Sequence, residues 1–227
     1  MDDVTLKRKA LSGLAKFLVI LCILIFLPTW SLAYWQGWVF FLTFSISTTV
    51  AGLYFLKNDP KLVETRLKAG PAAEKEKSQK IIMAFMYLFF IALVVFPGLD
   101  HHFGWSQVPP YLVILGDILV VLGLFIYCLA FRENSYASAI IEVGKEQRVI
   151  STGPYAVIRH PVYSGAIIML WGIPLALGSW GAFFFLFLLL AAIVWRLLDE
   201  EKFLVKNLPG YPSYCQKMCY RLIPFIW

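Results

Sequence analysis

Two short stretches near the end of a very apolar chain hold residues able to do chemistry. The first is Gly153-Pro154-Tyr155-Ala156-Val157-Ile158-Arg159-His160-Pro161-Val162-Tyr163-Ser164-Gly165. Its His160-Pro161 step reads as a helix entrance, because proline at the first helical position lacks only an N–H that has no helical partner anyway. The unpaired N–H groups of that first turn favour an anion. Arg159 adds fixed positive charge, His160 a donor or acceptor, Tyr163 a hydroxyl at the same end, and Gly165 room for close approach by backbone or ligand. The second stretch is Trp195-Arg196-Leu197-Leu198-Asp199-Glu200-Glu201. Arg196 and Glu200 are four apart and share a helix face. Each stretch is open to two readings. The first is a site for a small carboxylate or phosphate ligand, or a capped helix whose Arg and His meet lipid headgroups. The second is an i,i+4 pair at a membrane surface, or a divided site in which Arg196 attracts one anion while Glu200 receives hydroxyls or an amine of another ligand. Beyond them, Gly210-Tyr211-Pro212-Ser213-Tyr214 and Arg221-Leu222-Ile223-Pro224 form a tail able to fold back as a lid.

The elements that position these residues are membrane helices. Of the 227 residues 60% are hydrophobic and only 15% charged, and the mean hydropathy of +0.73 excludes an ordinary soluble domain. Phe17 to Leu56 carries no Asp, Glu, Lys or Arg, room for two spans of about 20 residues each. Ile81 to Leu99 is a third uncharged run, Tyr111 to Phe131 a fourth broken only by Asp117, and Pro161 to Trp195 a fifth block. That last block is long enough for two helices around Gly178-Ser179-Trp180-Gly181. The predicted architecture is all-α and polytopic with six spans, or five if the final hairpin is partly interfacial.

Charge placement gives these spans an expected direction. With an inner N-terminus, all 20 Lys and Arg fall in the inner segments 1–16, 57–80, 132–160 and 196–227. The outer turns have none, which is the positive-inside pattern. The net charge of +6 is then a property of the membrane-facing cytosolic side and does not indicate nucleic acid. Both termini are expected in the cytosol, of a bacterial or archaeal cell membrane or of the endoplasmic reticulum. The apolar run from Phe17 has no small-residue cleavage site, so a retained anchor is expected rather than a signal peptide. Residues 58–80 read as a short amphipathic helix on the inner leaflet followed by a loop. Trp30, Tyr34, Trp35, Trp38 and Trp105 fall where outer aromatic anchors belong. Asp117, an acid within a span, is by default a functional candidate. Cys22, Cys128, Cys215 and Cys219 read as reduced, structural thiols.

The linked pattern Gly-Pro-Tyr…Arg-His-Pro-x-Tyr-x-Gly, then Arg…Glu-Glu, Gly-Tyr-x-x-Tyr and Arg-Leu-Ile-Pro, over about residues 130–227, resembles the isoprenylcysteine carboxyl methyltransferase family, related to phospholipid methyltransferases. The resemblance implies a membrane enzyme using S-adenosylmethionine without a soluble Rossmann fold; no Gly-x-Gly-x-x-Gly is present. It implies membrane anchoring by residues 1–130 and a methyltransferase region at 131–227, with a cytosolic cofactor loop and a C-terminal lid. Glu142, Gln147, Arg148, Val149 and Ile150 would line the cofactor site, although family members often carry Gln where Glu142 stands. Tyr155, His160, Pro161, Val162 and Tyr163 match the central cofactor motif. Glu200 matches the acid that holds the cofactor, and Arg196 a residue at the acceptor carboxylate. The implied acceptor is lipid-like or prenylated, taken from the bilayer. Methyl transfer to a carboxylate needs no strong base, so alignment and water exclusion carry catalysis. Three alternatives stand beside this: an amine acceptor such as a phospholipid headgroup, a sterol-type reductase using a nicotinamide cofactor, and a non-catalytic scaffold.

Overall fold

The computed structural model describes residues 2–67, 74, 76–137, 139–141 and 147–227. Glu142, expected in the cofactor loop, lies outside them. All regular structure among the described residues is helical. The helices are α1 (Asp3–Phe26), α2 (Trp35–Asn58), α3 (Pro60–Arg66), α4 (Lys77–Phe103), α5 (Pro110–Glu133), α6 (Pro161–Ala176), α7 (Ala182–Asn207) and α8 (Tyr211–Lys217). Five of them, α1, α2, α4, α5 and α7, are long and apolar enough to cross a membrane. The sixth expected span, α6, is apolar but has only 16 residues, about 24 Å at 1.5 Å per residue against a hydrocarbon core of about 30 Å.

The six apolar helices alternate in direction, so both chain ends and the basic segments meet at one end of the bundle. Local signals set the boundaries. Asp2 caps α1 by accepting the Thr5 N–H at 3.0 Å, and Asp59 caps α3 by accepting the Leu62 N–H at 3.1 Å. Pro161 opens α6, as the sequence indicates. Inside the bundle, Ile25, Phe40, Leu93, Val120, Ile173 and Leu186 are almost fully buried. The short α3 is only partly a surface helix: its Leu62 is buried against Phe55 and Phe131.

The tightest packing is between α5 and α6, whose backbones touch along a glycine seam. A Cβ added at Gly123 would lie 2.3 Å from the Met169 backbone nitrogen, and one at Gly172 would lie 2.4 Å from the Gly116 carbonyl oxygen. Lipid offers apolar side chains no reason to associate, so backbone proximity through small residues holds such helices together. Gly165 serves that seam, with the Gly123 carbonyl oxygen 2.8 Å from where its Cβ would be. The close approach it permits is to backbone and not to a ligand.

At the far end of the bundle, Trp30, Trp35 and Trp105 are exposed as interfacial anchors should be. Tyr34 is a correction. It is buried, stacks on His101 at 4.5 Å and donates its hydroxyl to the Leu177 carbonyl. The apolar ring has a partner there, and the hydroxyl finds an acceptor on the turn after α6. Asp100, also buried, receives the hydroxyls of Ser106 and Ser179 and ties α4 to the hairpin between α6 and α7. Asp117 is buried in α5, with no hydrogen-bond partner for either oxygen among the described residues. All four cysteines are free.

Candidate functional site

At the basic end, α3, α4, α5, α6, α7 and α8 surround a cavity of about 350 Å3 with the segments 134–137, 139–141 and 147–160. That volume is within the ~300–1,000 Å3 of small-molecule sites. The Gly153-Pro154-Tyr155 turn enters it because Gly153 adopts φ +55°, a left-handed conformation, with the Glu133 side chain packed against its Cα. Glu133 in turn accepts the Thr152 hydroxyl. Tyr155 is buried: its hydroxyl accepts from Asn134 Nδ2 at 3.2 Å, and its carbonyl accepts the Tyr214 hydroxyl at 2.7 Å. Burial pushes the Tyr155 phenol up to about 12, so it stays neutral at physiological pH. Gly210, at φ +84°, starts α8 and brings Tyr211 and Tyr214 over the cavity.

The start of α6 and the end of α7 meet through their side chains. The Tyr163 hydroxyl donates to Glu200 Oε2 at 2.6 Å, and both residues line the cavity. His160, buried beside them, has Nε2 3.1 Å from Glu201 Oε1, which also lies 2.9 Å from Arg159 Nη1. Arg221 donates from Nε to Glu201 Oε2 at 2.8 Å. One carboxylate therefore gathers two arginines and a histidine. It also fastens the tail: the backbone N–H groups of Arg159 and His160 donate to the carbonyls of Tyr220 and Arg221 at 2.9 and 3.0 Å. Ser164 Oγ donates to the Leu222 carbonyl at 2.7 Å. The lid expected of the C-terminal tail is divided in consequence. Helix α8 covers the cavity, while 219–222 is a strap along the entrance to α6.

Arg196 is held differently from its sequence reading as an i,i+4 partner of Glu200. Its Nη2 lies 2.8 Å from Glu74 Oε1 and donates to the Ala139 carbonyl at 3.1 Å. Its Nη1 donates to Gln79 Oε1 at 2.8 Å. Glu74, itself buried, also accepts the Ile141 N–H at 3.2 Å through Oε2. Gln79 passes the connection on by donating to Asp199. A buried guanidinium needs a counter-charge and several acceptors, and Glu74 before α4, Gln79 in the first turn of α4 and the Ala139 carbonyl after α5 supply them. Neither Glu74 nor Gln79 was legible as a site residue, because both belong to a segment that reads as a polar connector.

Of the residues singled out by resemblance, Gln147, Arg148, Val149, Ile150, Tyr155, His160, Val162, Tyr163, Arg196 and Glu200 all border the one cavity. Pro161 does not; it is buried at the first position of α6, where its role is to start the helix. Sequence reasoning missed Arg66, Tyr127 and Asn134, which border the cavity from α3 and from α5 with the residue after it. A helix period that brought Tyr127 and Phe131 to one face was the only available signal for them.

A second, apolar cavity of about 300 Å3 lies between α1, α2, α3 and α5. Arg66, Tyr127 and Phe131 border both cavities. Arg66 donates to the Tyr127 hydroxyl at 2.8 Å and stands 4.4 Å over the Phe131 ring.

A family model described as phospholipid methyltransferase matches residues 111–209. The protein-S-isoprenylcysteine O-methyltransferase B of Arabidopsis thaliana is 29% identical over 152 residues, 63% of this chain and 72% of that protein. The Delta(14)-sterol reductase TM7SF2 of Mus musculus is 27% identical over 124 residues, 48% of this chain. That match spans 30% of the reductase, so the chain covers well under two thirds of its length. The resemblance to the isoprenylcysteine carboxyl methyltransferases stands on these matches.

Proposed function

We propose that this isoprenylcysteine-methyltransferase-like membrane protein uses S-adenosylmethionine to methylate the carboxylate of a lipid-like acceptor, of the isoprenylcysteine type, at the basic end of its bundle. The observation that carries the choice of acceptor is the charge of the cavity wall. Arg66, Arg148, Arg159 and Arg196 border it, the last two already paired with Glu201 and Glu74, and Glu200 is the one acidic residue among its described lining. Such a wall favours an anion over the amine of a phospholipid headgroup, which would need a proton acceptor at the reacting nitrogen.

The cofactor fits the polar half of the cavity by the chemistry of its donors. Glu200, fixed by Tyr163, accepts from hydroxyl or ammonium groups, and the phenols of Tyr155 and Tyr214 enclose an apolar and aromatic wall. When bound, S-adenosylmethionine supplies a methyl group on a sulfonium, ready for in-line displacement. The chain's own residues need not generate the nucleophile, since a carboxylate is already ionised at neutral pH. They align it and exclude water, effects worth about 7–11 kcal/mol in well-oriented systems. Arg196, paired with Glu74, can orient an anion without quenching its attacking oxygen. Entry from the cytosol for the cofactor and from lipid for the acceptor suits a site at the membrane edge.

Calorimetric titration of the purified protein with S-adenosylhomocysteine tests this reading. Saturable binding is expected, and no heat at millimolar ligand removes the cofactor from the proposal. A second reading, a nicotinamide-dependent reductase, is favoured by the match to the sterol reductase. The same titration with NADPH separates the two, because only one of the ligands should bind tightly.

A further inference from the structure

The two cavities share a wall, and the cation in that wall has no assigned partner. Arg159 is matched by Glu201 and Arg196 by Glu74. Among the described residues Arg66 has only neutral acceptors, the Tyr127 hydroxyl at 2.8 Å and the Ala137 carbonyl at 3.4 Å, and no carboxylate pairs with it there. It lies over the Phe131 ring, a placement that holds a guanidinium flat and leaves its edge available. Half-buried, it sits where an apolar groove meets a polar chamber.

The groove itself is made for a hydrocarbon. Leu11, Leu14, Leu53, Val63 and Leu124 line it, and Leu11 and Leu53 are exposed, so it opens towards lipid. Gly52 keeps it wide: a Cβ there would meet nothing closer than Leu14 at 4.0 Å. An apolar trough with a guanidinium held by neutral partners and by no described carboxylate at its inner end matches one chemistry, a single-chain amphiphile with an anionic head. We propose that Arg66 binds the carboxylate of such an amphiphile while its chain lies between α1, α2, α3 and α5. This rests on the methyl-transfer reading for what happens to the carboxylate, and on the groove alone for how it is held. It also divides the labour of the arginines: Arg66 recognises the incoming head, and Arg196, held by Glu74 and Gln79, orients the carboxylate once it reaches the polar chamber.

The test uses the purified full chain and two photoreactive probes, palmitic acid and hexadecylamine, each with a diazirine near the end of its chain. The acid is expected to label peptides containing Leu14, Gly52 or Leu124, and the amine to label them far less. Arg66→Gln should reduce labelling by the acid about ten-fold, the scale of a lost charge-assisted hydrogen bond. Arg66→Lys should restore most of it. Gly52→Leu, which fills the groove and leaves Arg66 in place, should abolish it even if Arg66→Gln proves too unstable to purify. Equal labelling by acid and amine, or labelling that maps elsewhere, overturns the proposal. S-adenosylhomocysteine titration of the same samples keeps the two claims apart. Groove labelling without cofactor binding overturns the methyl-transfer reading alone, and cofactor binding without groove labelling overturns this one alone.

Discussion

Glu200 and Glu201 are neighbours in sequence and do different work. Glu200 borders the cavity and accepts from Tyr163, while Glu201 faces Arg159, His160 and Arg221 and holds the tail. Adjacent helix positions point about 100° apart, so a pair of identical residues can serve a site and a clamp at once. Glu200→Ala should weaken S-adenosylhomocysteine binding about ten- to a hundred-fold, the range of ~1.5–3 kcal/mol for a hydrogen bond to a charged group. Calorimetry reads this directly, and an unchanged affinity would remove Glu200 from the cofactor site. Tyr163→Phe should give a smaller loss, because it frees Glu200 without removing its charge. That both residues would line one site was implied by the family resemblance of their motifs, and both do border the cavity. The partner of Arg196 was not legible: i,i+4 spacing pointed to Glu200, whereas Glu74 reaches the guanidinium from a segment 122 residues away in sequence. No local rule reports such a contact.

The elements are held by two devices, a seam and a strap. In the seam, α5 and α6 touch backbone to backbone at Gly116, Gly123, Gly165 and Gly172. Gly123→Ala must therefore push the helices apart, and a loss of at least the ~1–3 kcal/mol typical of overpacking is expected. A fall in thermal midpoint would show it, with Gly13→Ala as the control, since a Cβ there meets nothing within 4 Å. In the strap, Glu201→Gln keeps the shape but removes the counter-charge of Arg159 and Arg221 and alters the contact with His160. Amide hydrogen exchange at Arg159 and His160, whose N–H groups donate to the tail, should quicken while exchange in α5 stays slow. Uniform quickening would mean that Glu201 supports the whole bundle and not the tail in particular. The start of α6 could be read from His160-Pro161. The seam could not, because a glycine in an apolar helix looks the same whether it faces lipid or another backbone.

At the scale of the molecule, six alternating apolar helices bring the termini, the basic segments and the cavity to a single end. From the placement of the lysines and arginines we propose that this end is cytosolic. An impermeant maleimide should reach the exposed Cys219 only after the membrane is opened. Gln107→Cys, in the far turn and on a Cys219→Ser background, should react in intact cells; the opposite pattern would invert the proposed orientation. The sequence by itself determined that the chain is helical and membrane-embedded and which end carries the charge. Those properties come from composition and short-range periodicity, which every stretch of sequence displays on its own. Tertiary structure alone decided that Glu74 and Gln79 secure Arg196, that Glu201 is a clamp, and that Arg66 stands between two cavities. Each depends on distant segments meeting, and a buried charge takes whichever partner the folded chain brings within hydrogen-bonding reach.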